Sequence, residues 1–145
     1  WIATGAKGMG NVDGNVKPQS AVADQDLVAG IALYEKAIKP MFQDHCYECH
    51  GFDSRKGGLN LTTQDAALRG GESGPVLIAK RPDESLLMQA LVHANNNLKM
   101  PPSGKLKADQ IADVREWIKL GAPWSNTCPV HDNTAPWHKR CLGRR

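Results

Sequence analysis

Cys46-Tyr47-Glu48-Cys49-His50 is the stretch on which the reading of this chain turns. C-x-x-C followed at once by histidine is the spacing at which a polypeptide attaches a c-type haem. Two thiols must reach the two vinyl groups of one porphyrin, and one helical turn sets residues three apart side by side. Each sulfur would then form a thioether. The histidine that follows lies under the metal and can give a ring nitrogen to the iron as proximal ligand. Two other chemistries use the same cysteine spacing, a redox dithiol and half of a zinc site. A thioredoxin-like dithiol needs a strand ahead of it and a βαβ context. Here the residues ahead of the motif have helical periodicity, and no strand alternation stands out.

Upstream, Leu27, Ile31, Tyr34 and Ile38 recur at helical spacing and predict a first helix over 26–39 with one apolar face. Asp24 or Asp26 can cap it. Gly30 falls on that stripe, where alanine suits a helix better, so a second element is expected to approach closely there. Pro40 is expected to break or kink the helix. A short turn through Met41 and Phe42 then delivers the chain to Cys46. Residues 1–25 are rich in Gly, Asn, Val, Ala and Asp without a period, and read as a linker or extension; the alternative is an arm that docks on a partner.

Downstream, residues 52–58 read as a polar loop, and Leu59 and Leu61 as apolar pins against the porphyrin. Thr62 or Thr63 can cap a short helix that ends near Gly70. Gly70, Gly71, Gly74 and Pro75 mark a turn-rich segment. A third helix is expected from Pro82 to about His93, with Leu86, Leu87, Ala90 and Leu91 inward. The last runs over 108–120, with Ile111, Val114 and Ile118 on its face and Trp117 beside them. Gly121 and Pro123 stop it. The sum is an all-α chain of about four short helices wrapped around one covalently bound haem. The haem-bearing domain is expected over residues 26–125, with irregular extensions at 1–25 and 126–145.

A haem that only carries electrons is best closed on both faces, which calls for a second axial ligand. Of four methionines, Met9 lies in the extension, Met41 is too near the motif to cross to the other face, and Met88 sits mid-helix, where a gap-filler is the plainer reading. Met100 lies in a loop restricted by Pro101 and Pro102, so its thioether can be presented at little ordering cost. His93 is the competitor; His45, His131 and His138 are weaker. An iron left open would permit ligand binding or peroxidase-like chemistry.

The 145 residues carry a formal charge of +3 and 6% aromatics. That is mildly basic, which suits an acidic partner surface, and no basic run alternates with aromatics as in single-strand nucleic-acid binders. No stretch approaches the length of a membrane span. The sequence begins at Trp1 without a signal peptide, as a processed protein or an excised fragment would. Covalent haem attachment takes place outside the bacterial cytoplasm, so a periplasmic or extracellular location is expected. Cys128 and Cys141 fit an oxidising compartment and are expected to form a disulfide that closes the tail. The alternative is a zinc cluster of Cys128, His131, His138 and Cys141. Trp124 and Trp137 are expected to pin the tail.

The chain resembles class I monohaem cytochromes c and, within them, is similar to planctomycete-type cytochrome c domains. The matching segments are Cys46 to Gly51, Lys56-Gly57-Gly58-Leu59-Asn60-Leu61, Gly70-Gly71-Glu72-Ser73-Gly74-Pro75, Pro82 to Leu87, Leu98 to Pro102 and Trp117 to Trp124. In such domains the motif histidine and the methionine of the Lys-Met-Pro-Pro segment are the axial ligands, so the resemblance implies His50 and Met100 as iron ligands, beside Cys46 and Cys49 as attachment points. Gly30 with Tyr34, against Val114 with Trp117, resembles the crossing of first and last helices in that fold. The proline usual about a dozen residues after the haem histidine is missing, and with it the obvious acceptor for the His50 Nδ1 proton.

The function this implies is one-electron transfer between redox partner proteins by a carrier with no substrate of its own. The alternatives are an electron-accepting subunit or structural component of a larger redox complex, held through the extension and tail, and an open-iron haem enzyme or gas sensor. Lys56, Lys80, Lys99, Lys105 and Lys107 are candidates to ring an exposed haem edge and steer an acidic partner. Arg69, Lys80 and Arg81 are candidates to pair the haem propionates.

Overall fold

A run of consecutive helical segments opens residues 19–125, the part described by this computed structural model. Helix α1 (Gln19–Leu33) runs into a π turn (Tyr34–Ile38) and then into α2 (Lys39–His45). The helix expected to break or kink at Pro40 continues through it, with Pro40 in the first turn of α2. A proline inside a helix removes one N–H and drives its ring into the preceding turn. The π turn widens that preceding stretch: the Lys39 N–H bonds to the Tyr34 carbonyl, five residues back. The rod is not broken there.

Leu27, placed by its spacing on the buried stripe, is 48% exposed and Val28 68%. Among residues 23–33 of α1, Gly30 is the buried one. The reason is packing from the other end of the domain. A Cβ on Gly30 would stand 2.4 Å from Cγ of Pro123 and 3.2 Å from Cβ of Leu120. The close approach foreseen at Gly30 is thus with the chain leaving the last helix, α6 (Ala108–Lys119). The π turn itself lies on α6, and Tyr34 stacks on Trp117 with ring centroids 5.8 Å apart.

Around that contact sits an aromatic core. Trp124 lies 5.2 Å from Trp117 and 4.9 Å from Tyr34, and Phe42 meets Trp117 edge-on at 6.0 Å. Tyr34, Phe42, Trp117, Val114 and Ile118 are buried, each worth about 1.5–3 kcal/mol in apolar area removed from water. Trp117 Nε1 donates to the Pro123 carbonyl at 2.8 Å, which fixes the turn after α6. Gly121, at φ +100°, ends that helix in the left-handed region.

The remaining elements are short. Thr63 caps α4 (Gln64–Arg69), its hydroxyl accepting from Ala66 N–H at 3.3 Å, and Gly70 closes it. The helix predicted over 82–93 is divided into a 3₁₀ turn (Pro82–Glu84) and α5 (Leu86–Leu91). Ser85 makes the division: it is fully buried, its hydroxyl accepts from Ile78 N–H at 3.0 Å and donates to the Arg81 carbonyl at 2.8 Å. Those bonds tie the segment to the loop before it and stop one helix from running through. No strand forms among the described residues, which leaves an all-α fold compatible with that of cytochromes c. No helix among them is long and apolar enough to cross a membrane. Met9, Cys128, His131, Trp137, His138 and Cys141 lie outside the described residues, and with them the expected disulfide and its zinc alternative.

Candidate functional site

Cys46 is the joint between α2 and α3 (Tyr47–His50). Its N–H closes the first by bonding Phe42 O at 2.9 Å, and its carbonyl opens the second by accepting from Cys49 N–H at 3.1 Å and His50 N–H at 2.8 Å. The motif therefore forms one tight turn, and both cysteines are free thiols. The carbonyl of His50 accepts from Leu61 N–H at 2.9 Å, which draws the following loop back over the motif.

That loop helps enclose a cavity of about 270 Å³. Cys46, Cys49 and His50 line it, and so do Leu59 and Leu61, the two expected pins. Leu87 and Leu91 enter from α5. Met100 and Pro101 enter from the loop beyond, held by the Met100 N–H bond to Ala90 O at 3.1 Å. Four residues predicted for the site, from positions 46 to 100, thus share one apolar chamber.

Its wall depends on glycine contact. Gly71 lies against the 3₁₀ turn Lys56–Gly58: a Cβ there would be 2.3 Å from the Gly57 carbonyl and 3.1 Å from the Leu59 nitrogen. Glu72 N–H bonds that same Gly57 carbonyl at 2.8 Å. Gly57 itself sits at φ +63°, where a residue with a side chain is strained.

The other ligand candidates are placed elsewhere. Met41 and Met88 are buried in the core, 4% and 1% exposed, and neither lines the cavity. His93 turns its Nε2 to the Met100 carbonyl at 3.3 Å and stays out of the chamber. His45 does line it, next to Cys46.

The electrostatics separate the three chemistries that share the cysteine spacing. Burial, and secondarily Cys49, pushes the Cys46 thiol up to about 12. A redox dithiol needs the opposite, a thiol stabilised as thiolate. A zinc site needs further ligands, and no group of three metal-ligating side chains occurs among the described residues. Burial also lowers the His50 pKa, with the Lys56 ammonium adding to the effect and the backbone of Leu59 and Lys56 opposing it. A neutral imidazole has a lone pair to give. Those backbone groups act on the ring at a distance; none completes a hydrogen bond to Nδ1, which is buried without a partner.

All five candidate lysines are exposed, and of them only Lys56 lines the cavity, at its rim. None of the three residues proposed for propionates reaches it. Arg69 pairs with Asp65, and Arg81 with Glu84 at 3.2 Å. The reading of the sequence named Lys56 among five lysines for a haem edge but not among the propionate candidates. Its place in Lys-Gly-Gly-Leu, where paired glycines turn the chain back onto the motif, was the available signal.

Residues 46–104 match the planctomycete cytochrome C family. The resemblance read from the sequence is borne out over that segment, which runs from Cys46 past Met100. No curated protein and no solved structure matches the chain. A cytochrome c domain implies covalent haem c and haem-based electron transfer, in a carrier more than in an enzyme with its own substrate, and it implies redox partners.

Proposed function

We propose, from a chain whose residues 46–104 match the planctomycete cytochrome C family, that this protein is a one-electron carrier holding a single haem c between His50 and Met100. The observation that carries the reading is the shared chamber: an imidazole, two thiols and a thioether, brought from positions 46 to 100 to one apolar cavity. The residues present fit the group. The thiols are one helical turn apart, six leucines line the walls, and the buried Nδ1 without an acceptor leaves His50 with no competing fixed role.

Cys46 and Cys49 would supply the thioether sulfurs, His50 and Met100 the axial nitrogen and sulfur. When bound, the haem supplies an iron couple that gains and loses one electron. A thioether ligand favours the ferrous state. Leu59, Leu61, Leu87 and Leu98 keep water from the chamber, and low polarity disfavours the extra charge of the oxidised state. The side chains that would close both faces leave no open position for a substrate. The partners are redox proteins outside the cytoplasm.

A spectrum of the protein matured with haem tests this. A c-type α-band in the reduced protein, and a sulfur-to-iron charge-transfer band in the near infrared when oxidised, are expected. The infrared band should vanish in Met100→Ala and persist in Met88→Leu. Loss of the band in Met88→Leu, or carbon monoxide binding to the reduced wild type at neutral pH, would refute the ligand assignment.

A further inference from the structure

Lys56, exposed at the rim, is the one ammonium side chain lining the chamber: the lining contains no aspartate, glutamate or arginine, and the other polar groups are histidines and one serine. We propose that the Lys56 ammonium pairs with a carboxylate of the tetrapyrrole and so both orients the ring and sets its potential. The inference rests on the haem reading above.

Three observations support it. First, the base of the side chain is fixed. The turn Lys56–Gly58 is held by Gly58 N–H to Arg55 O at 2.9 Å and by Glu72 N–H to Gly57 O at 2.8 Å, and Gly71 presses on it where no side chain fits. A lysine rooted in such a turn gives up less freedom to hold one position than one on a loose loop. Second, Lys56 has no carboxylate within ion-pair distance among the described residues, whereas Arg69 and Arg81 are already paired. Third, a carboxylate carried into an apolar cavity needs a cation or water to offset its lost hydration. The chamber offers one cation for that purpose, and it is Lys56.

The consequence for the iron has a definite sign. Removing the ammonium leaves an uncompensated negative charge beside the metal. That charge stabilises ferric over ferrous iron, so the potential falls. Lys56 is a positioning residue here, since it acts on the iron through the ring substituent.

The test is a redox titration of the haem-loaded full chain and its variants at low and high salt. In Lys56→Gln the midpoint should fall, and in Lys56→Glu it should fall further. Lys56→Arg should restore most of the wild-type value. Lys80→Gln, an exposed lysine off the cavity, should leave it in place. The Lys56→Gln shift should shrink at high salt, because Lys56 is exposed and salt screens a pair at the surface. A midpoint unmoved in Lys56→Gln, or moved equally in Lys80→Gln, overturns the proposal. A wild-type protein that gives no c-type haemochrome in alkaline pyridine overturns the haem reading instead, so the two failures are distinct.

Discussion

Gly30→Ala sets two effects of opposite sign against each other. In an exposed helix the change gains about 1 kcal/mol of helix propensity. Here the new methyl would stand 2.4 Å from Cγ and 2.8 Å from Cδ of Pro123, while carbon atoms rest at about 3.5–4.0 Å. One of the two chains must move by about 1 Å. The proline ring is rigid, and its carbonyl is held by Trp117 Nε1 at 2.8 Å. The cost therefore belongs near the top of the usual overpacking range, about 3 kcal/mol. The net expectation is a loss of about 2 kcal/mol, or roughly 8 °C in Tm. Replacing the ring removes the obstacle. In a Pro123→Ala background the nearest neighbour left is Leu120 Cβ at 3.2 Å, and Gly30→Ala should become neutral or stabilising by up to about 1 kcal/mol. Urea denaturation of the four proteins, followed by helical circular dichroism, gives the coupling energy, expected at about 2 kcal/mol or more. An equal effect of Gly30→Ala in both backgrounds would refute the steric argument.

Gly71→Ala should destabilise the chain by about 2–3 kcal/mol, because the obstruction is the Gly57 carbonyl at 2.3 Å and not a mobile side chain; Gly57→Ala, with nothing within 4 Å but a φ of +63°, should cost only about 1–2 kcal/mol, and the same urea titration ranks them. Ser85→Ala leaves the Ile78 N–H and the Arg81 carbonyl without their partner; a loss of about 2 kcal/mol is expected, and a change under about 0.5 kcal/mol would contradict it. In the chain prepared without haem, Cys46 keeps its proton up to about 12 while the unfolded thiol releases its own near pH ~8.5. The unfolded state therefore sheds the proton first, so stability should hold below pH ~8.5 and fall as pH rises through that window; Cys46→Ser should flatten this decline.

The amino-acid order alone was enough for the elements with strong local rules. Thr63 and Gly70 bound a helix because a hydroxyl cap and a left-handed exit are local devices. Helix 108–119 was legible from the spacing of Ile111, Val114 and Ile118 and from Gly121 after it. The motif from Cys46 to His50 declared its chemistry because thioether attachment fixes both residue type and spacing. Met100 could be singled out because two prolines follow it.

What needed the tertiary structure were the outcomes decided by distant neighbours. Pro40 read as a break or a kink, and the rod runs on unbroken, because packing against α6 stabilises it and a π turn absorbs the proline. Leu27 had helical spacing yet stays exposed, and among the described residues of α1 it is Gly30, against Pro123, that is buried. Ser85 looked like one more helical residue until its hydroxyl was seen bonded to Ile78 and Arg81. Arg69, Lys80 and Arg81 carry the right charge for a carboxylate, but only Lys56 reaches the cavity. Local sequence specifies how a segment prefers to bend and what chemistry it carries; which of its side chains meet is set by chain segments far away, whose burial outweighs those local preferences.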